Sequence, residues 1–246
     1  METKELDIVY CVSNAPQNEE LRYSLRSLEN IPHRKVWVYG GCPKWLDKRR
    51  VKCMPLEQKE RNKWNNVSKL LEQIAKNEKI TENFIWFNDD FFVLKKIESL
   101  DYYKDRTLIE RIYDFAKMGW WQLNGPYQRK LKEASRALKM VKLPANNYEL
   151  HIPIVYNRHK FLELYKRYPN VGAKRSLYCN TFGIKGIQRK DIKIYDNENV
   201  PEKDWDFVST TNDSFEKGKV GEYLRKKFNK KSKYEKEDEW TMGKVK

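Results

Sequence analysis

Residues 83–92 read NFIWFNDDFF, and the reading of its two adjacent carboxylates, Asp89 and Asp90, decides the fold. They lie within a run of Phe84, Ile85, Trp86, Phe87, Phe91, Phe92 and Val93. Ionised carboxylates do not enter apolar surroundings unpaired, because desolvation costs several kcal/mol or more. The run is therefore expected to be a strand that ends at the acids, which then point into a crevice. Alternation puts Phe87, Asp89 and Phe91 on one side and Asn88, Asp90 and Phe92 on the other. The two acids diverge unless the backbone breaks there.

Upstream, LDIVYCVS (6–13) is a short β-branched apolar run and predicts a buried strand. In the segment that follows, Leu21, Ser24, Leu25 and Leu28 fall on one helical face, with Asn18 as a plausible N-cap and glutamates in the first turn. RKVWVYGG (34–41) predicts a second strand ending at glycines, and 65–81 a helix with Val67, Leu70, Leu71 and Ile74 in register. Strand–helix–strand–helix–strand is the pattern of a parallel sheet covered by helices. Such sheets collect ligands at the carboxyl ends of their strands.

Downstream, 101–145 reads as helical and 151–169 as a strand running into an amphipathic helix. Beyond 186 the chain is polar, with β signals at KDIKIY and WDFVSTT and a helix before a charged tail. With no repeat and no proline- or glycine-rich linker, the expected organisation is one catalytic domain over 1–186 and a C-terminal extension over 187–246 packed on it.

The 246 residues carry 50 Lys and Arg against 35 Asp and Glu, a formal charge of +15. That imbalance suggests a polyanionic partner, although a solvated lysine-rich surface is the plainer explanation. No apolar run is long enough to span a bilayer. METKELDIVY enters a strand-like pattern directly, and Cys11, Cys42, Cys53 and Cys179 lack CxxC spacing. Both features predict a cytoplasmic protein with neither a disulfide framework nor a zinc site.

Paired acids at a strand end suit Mg²⁺ or Mn²⁺, which take one or two carboxylates together with phosphate oxygens. A bare Asp-Asp pair is also common in turns. DIVYCVSN, NEELRYSLRSLE, GGCPKWL, FIWFNDDFF and LHIPIVYNRHKF, in this order, resemble the Stealth family of sugar-phosphate transferases. They are more similar still to compact glycosyltransferase-like proteins common in bacteriophage genomes. The resemblance covers roughly 6–180 and implies a GT-A-like, Rossmann-type α/β fold. Its nucleotide-sugar-binding sheet has helices on both faces, a helical insertion and a C-terminal extension. It implies that Asp89 and Asp90 hold the metal and the diphosphate of a donor expected to be UDP-linked. It places Asp7, Tyr10 and Asn14 at the nucleotide end of the first strand, Glu19 and Arg22 on a helix motif, and His151 on a histidine–proline motif. Arg175 matches an arginine that contacts phosphate.

The residues themselves leave alternatives open. Glu19, Arg22 and Arg26 form a helical stripe that is either ion-paired surface or a donor-binding face. Lys63 and Asn66 beside Trp64 suit a base or ribose, or a helix start. His151 is a structural hydrogen-bonder, a metal ligand or a general base. Asp213 is a second candidate base, or a turn residue. Over 127–143, Arg129, Lys132, Arg136 and Lys139 form a basic stripe opposite Leu131, Ala134, Leu138 and Val141. It follows Trp120 and Trp121, which either stack on bases or sugars or belong to the core. The 225–236 segment holds seven Lys and Arg against Glu235, and either trails along a phosphate backbone or is disordered.

The expected activity is metal-dependent transfer of a sugar from a nucleotide-sugar donor to a hydroxyl of a polyanionic acceptor. The favoured acceptor is a hydroxymethylated pyrimidine in bacteriophage DNA, flipped out if the DNA is duplex. The alternatives are a sugar-1-phosphate transferase, a surface-polysaccharide or teichoic-acid glycosyltransferase, and a non-catalytic nucleic-acid-binding module.

Overall fold

Three runs of uninterrupted apolar residues become the interior of one sheet. The computed structural model describes residues 1–59, 63–117, 125–169 and 171–236. The first half contains β1 (Asp7–Val12), α1 (Glu19–Ser27), β2 (Val36–Gly40), β3 (Val51–Pro55), α2 (Lys63–Lys76) and β4 (Asn83–Asn88). After it come β5 (Phe91–Val93), β6 (Tyr103–Thr107), α3 (Leu108–Lys117), α4 (Pro126–Met140), β7 (Asn146–Asn147), β8 (Ile154–Asn157), α5 (Arg158–Arg167) and α6 (Lys174–Thr181). The remainder holds β9 (Ile187–Gln188), β10 (Lys193–Ile194), β11 (Phe207–Thr210), α7 (Asn212–Lys217) and α8 (Lys219–Lys227).

The main sheet has the order β3-β2-β1-β4-β8, the first four strands parallel and β8 antiparallel to β4. Period-2 alternation divides its side chains between two cores. Val9, Trp37, Tyr39, Phe84 and Trp86 pack against Leu70, Leu71 and Ile74 of α2. Ile8, Tyr10, Val38, Ile85 and Phe87 pack against Leu21, Leu25 and Leu28 on the other face. The fold is thus α/β with helices on both faces. Strand order reverses between β1 and β4, which leaves a crevice at their carboxyl ends.

Gly40 closes β2 there with φ +98°, and a Cβ would lie 2.2 Å from the Val12 carbonyl oxygen. Only glycine lets the two strand ends converge so closely at that rim.

Some expectations change. β3 has largely exposed side chains, the habit of an edge strand, and so lacks the apolar run that marked its neighbours. β6 is YKDRT, too charged to look like a strand, yet it pairs with β7 and β9 inside the stretch expected to be helical. On α4, Leu131, Ala134 and Leu138 are buried as expected, but Val141 caps the helix and is exposed. Cys42 and Cys53 form a disulfide between the loop after β2 and β3, against the expectation of none. With it goes the cysteine argument for a reducing compartment. Among the described residues, no helix is long and apolar enough to cross a membrane.

The 225–236 segment is docked. Arg26 on α1 forms a buried two-pronged pair with Glu235, Nε–Oε1 and Nη2–Oε2 both 2.8 Å, and donates to the Phe228 carbonyl. Tyr234 is buried, with its hydroxyl 2.6 Å from His33 Nε2.

Asp7 and Tyr10, expected at a nucleotide end of the strand, do not line the cleft at the carboxyl ends of the sheet. Asp7 opens β1 at its amino end, roughly 16 Å from the carboxyl end at ~3.3 Å per residue. It is fully buried, held by Arg34 at 2.8 and 2.6 Å and by Trp37 Nε1 at 2.8 Å. Tyr10 points into the core, its hydroxyl 2.9 Å from Ser24 Oγ. Asp7→Asn is expected to lower stability by about 1–3 kcal/mol in urea denaturation, the cost of disturbing buried hydrogen bonds, because Arg34 is a third exposed and keeps access to water. The folded fraction should keep its nucleotide affinity by calorimetry, whereas a nucleotide-binding Asp7 would lose affinity with stability unchanged.

Candidate active site

The opposition between two neighbouring acids and a strand is resolved by ending the strand. β4 stops at Asn88, Asp89 and Asp90 make a turn, and the chain re-enters structure as β5 in a different sheet, antiparallel to β11. Both acids are half-buried and line a cleft of about 1510 Å³ at the carboxyl ends of β1 and β4.

Each carboxylate has one oxygen anchored. Asn18, the N-cap of α1, holds a left-handed conformation (φ 40°), which Asn tolerates better than most residues. Its Oδ1 accepts from Leu21 N at 2.9 Å while its Nδ2 donates to Asp89 Oδ2 at 2.7 Å. Asp90 Oδ2 accepts from Lys193 Nζ at 2.6 Å and Ser209 Oγ at 3.1 Å. A third acid, Glu20, lines the same wall and accepts from Thr210 Oγ1 at 2.7 Å. Burial, then repulsion from Asp90, pushes Asp89 up to about 6. Burial raises Glu20 to about 7, against the hydrogen bond from Thr210 and with added repulsion from Asp90 and Asp89.

The opposite wall carries His151. Its Nδ1 lies 2.8 Å from Asp191 Oδ2, its backbone N–H donates to Asp191 Oδ1 at 3.0 Å, and Arg111 Nη2 donates to Asp191 Oδ2 at 3.0 Å. Burial works to raise Asp191, but His151 and Arg111 facing it hold it well below the ordinary carboxylate range. Arg175 also lines the cleft, but its guanidinium donates to the backbone carbonyls of Leu150 and Ile152 and lies 4.4 Å over the Trp86 ring. It braces the wall of the cleft while facing it.

The other predicted residues scatter. Glu19 lines the cleft, and Asn14 lies in the exposed loop between the lining residues Ser13 and Ala15. Arg22 turns away to Glu19 at 3.2 Å, to Glu235 at 3.9 Å and over the Trp45 ring at 4.8 Å. Asn66 sits in the first turn of α2, next to the lining residue Val67. Asp213 is exposed in the first turn of α7, paired with Lys217 at 2.7 Å and lowered by it. A surface acid so acidified is a poor base. Arg129, Arg136 and Lys139 are exposed and Lys132 half-buried, on the solvent side of α4. Trp120, Trp121 and the side chains of Lys63 and Trp64 lie outside the described residues.

Sequence reading missed Asp191, Lys193, Glu20 and the second role of Asn18. KDIKIY did carry a signal: Asp191, Lys193 and Tyr195 alternate, so one face of that segment is polar.

Among the described residues six acids and four Lys or Arg line the cleft, a formal excess of acids inside a chain of formal charge +15. Among the described residues, no three His, Cys, Asp or Glu side chains converge as a metal cage. The pair nevertheless fits Mg²⁺ or Mn²⁺, which need few protein oxygens when phosphates complete the shell. Asp89, pushed upward by burial and by the neighbouring Asp90 carboxylate, is the kind of acid whose charge a divalent cation relieves.

No protein-family model matches the chain, and no curated protein matches it significantly. Among solved structures it is similar to the galactosyltransferase LgtC in complex with donor and acceptor sugar analogs, with TM-score 0.44 and 9% identity over 77% of this chain and 76% of that one. A structure of an active-site mutant of LgtC gives TM-score 0.40 and 11% identity over 74% and 71%. Mouse xyloside xylosyltransferase 1 gives 0.33 and 10% over 73% and 82%.

Because Asp89 and Glu20 are raised on folding, the stability they contribute is full below pH ~4 and is lost as pH rises through about 6 and 7. Urea melts in chelator should weaken across pH 4–7, and Asp89→Asn and Glu20→Gln should each remove on the order of 1–3 kcal/mol of that weakening. Variants that retain the full pH slope would refute the assignment.

Proposed function

We propose that the chain is a metal-dependent glycosyltransferase that moves a sugar from a nucleotide-sugar donor, UDP-linked, to an acceptor hydroxyl. The observation that carries this reading is the broken strand end. It sets Asp89 and Asp90 at the switch point of a parallel sheet, in one cleft with the imidazole of His151. Asp89 and Asp90 are the residues that hold Mn²⁺ or Mg²⁺, which neutralises the charge of the departing diphosphate. Asn18 and Lys193 keep the two carboxylates oriented, and the Lys193 ammonium adds positive charge beside the phosphates. His151 takes the proton of the acceptor hydroxyl.

The acceptor we favour is a hydroxymethylated pyrimidine in DNA. A polyanion is repelled by the acidic cleft and attracted by the basic outer stripe of α4. A neutral base swung out of its stack meets both conditions, because only the base enters the cleft. Arg129, Lys132, Arg136 and Lys139 then contact the phosphates, together with basic residues of the 225–236 segment.

Asp89→Asn and Asp90→Asn are each expected to abolish turnover with the circular dichroism spectrum unchanged, and EDTA to do the same reversibly. A panel of nucleotide sugars, read by mass spectrometry of digested modified DNA, identifies donor and base together. Released nucleoside diphosphate marks glycosyl transfer, whereas nucleoside monophosphate would reassign the reaction to sugar-phosphate transfer. Activity that persists in EDTA and in both variants removes the metal from the mechanism.

Binding to duplex DNA should fall linearly on a log–log plot against salt, with a slope of about −0.9 per phosphate contact. Glutamine at positions 129, 132, 136 and 139 should flatten that slope by about three to four units, with nucleotide binding unaltered. A salt-independent wild type would rule out the DNA acceptor and favour an uncharged one.

A further inference from the structure

We infer that Asp191 is the positioning residue of the reaction: it fixes the His151 ring as the Nδ1–H tautomer, leaving Nε2 as the atom that accepts the acceptor's proton. The inference rests on the glycosyl-transfer reading above. Neutral imidazole has one N–H and one lone pair, and its partners decide which nitrogen carries which. Asp191 lies against Nδ1 at 2.8 Å, and a carboxylate only accepts at that distance, so Nδ1 carries the proton.

The carboxylate itself is locked. Oδ1 accepts from the backbone N–H groups of His151 at 3.0 Å and Ile192 at 2.9 Å, so ring and carboxylate share one backbone frame. Oδ2 takes Arg111 Nη2 at 3.0 Å from α3. Tyr195 stands edge-on to the ring, the centroids 6.4 Å apart. The other groups facing the pair are Glu149, which interacts electrostatically with His151, and Tyr127, which senses both Arg111 and Asp191. His151 itself and, to a smaller extent, Arg111 keep Asp191 ionised, and the ionised carboxylate stabilises the imidazolium formed as the proton arrives.

The balance of the step is simple. The acceptor O–H bond breaks and its proton goes to Nε2. The acceptor oxygen forms the bond to the sugar's anomeric carbon. The nucleoside diphosphate leaves with the electron pair of the old carbon–oxygen bond.

The test combines steady-state kinetics with ¹⁵N NMR of the histidine rings, a readout that needs no turnover. In the wild type, the neutral His151 ring should show the ¹⁵N shifts of the Nδ1–H tautomer. Asp191→Asn replaces the carboxylate with an amide that can donate, so the ring should lose its preference for Nδ1–H and kcat should fall at least ~100-fold. Asp191→Glu should restore part of both. Asp191 also holds two backbone N–H groups, so the asparagine variant can fail to fold. Arg111→Met therefore supplies the second arm: it frees one carboxylate oxygen, so the Nδ1–H preference should weaken and kcat should fall by less than in Asp191→Asn. A purely structural Asp191 would lower the folded fraction and leave the tautomer and the rate per folded molecule in place, and a wild-type Nε2–H tautomer would overturn the inference directly. Correct NMR shifts without turnover of any nucleotide sugar would instead refute the glycosyltransferase reading and keep the positioned pair.

Discussion

Two adjacent carboxylates cannot stay in a strand whose two faces are both buried, and the way the chain escapes this constraint arranges everything around the cleft. β4 must end at Asn88, so β5 starts in a new direction and finds β11 as its partner. That second sheet carries Ser209 and Thr210, which contact Asp90 and Glu20. The same turn places Asp89 against the N-cap of α1. A single amide, Asn18, serves the helix with its oxygen and the acid with its nitrogen. An aspartate there would cap the helix equally well and repel Asp89. The N-terminal half and the C-terminal residues therefore meet at two carboxylates, and neither half builds the cleft alone.

How much of this was legible in the sequence depends on how far apart the partners lie. The buried strands, the helices at 3.6-residue spacing and the Asn18 cap follow from local pattern, and the structure keeps them close to where periodicity puts them. The Asp89–Asp90 pair was legible because acids amid aromatics are improbable without a reason. Asp7 misled because the motif match assigned it an end of the strand that its geometry does not. Its partners Arg34 and Trp37 come from the β2 segment and Thr81 from just before β4, up to 30 and 74 residues away. Asp191 and Lys193 were missed because a carboxylate and an ammonium in a polar segment look like surface. Only the fold brings them to His151 and Asp90, across 40 and 103 residues. The β6 strand escaped because side chains hydrogen-bonded at a periphery need not be apolar.

Charge is divided by location. The basic excess is spread over the outside, notably on α4 and the residues after α7, while among the charged described residues that line the cleft acids outnumber Lys and Arg. On the proposed reading, an outer field of one sign attracts a polyanion from a distance and an inner field of the other sign keeps its backbone out. The group that would gain by entering is then an uncharged hydroxyl, or one whose charge a bound cation cancels.

The pair between Arg26 and Glu235 also sets an order of events in time. The two residues are 209 positions apart in the chain, and each is buried when joined. At about 5–20 residues per second, ribosomal synthesis delivers Glu235 on the order of 10–40 s after Arg26. Until then the apolar face of α1, with Leu21 and Leu25, can pack on the sheet, but the Arg26 guanidinium lacks the carboxylate it meets in the folded protein. The loop closed by the pair is long, but its entropic cost grows only logarithmically with length. A nascent chain therefore completes its parallel strands before the residue that locks α1 to the C-terminal segment has been made.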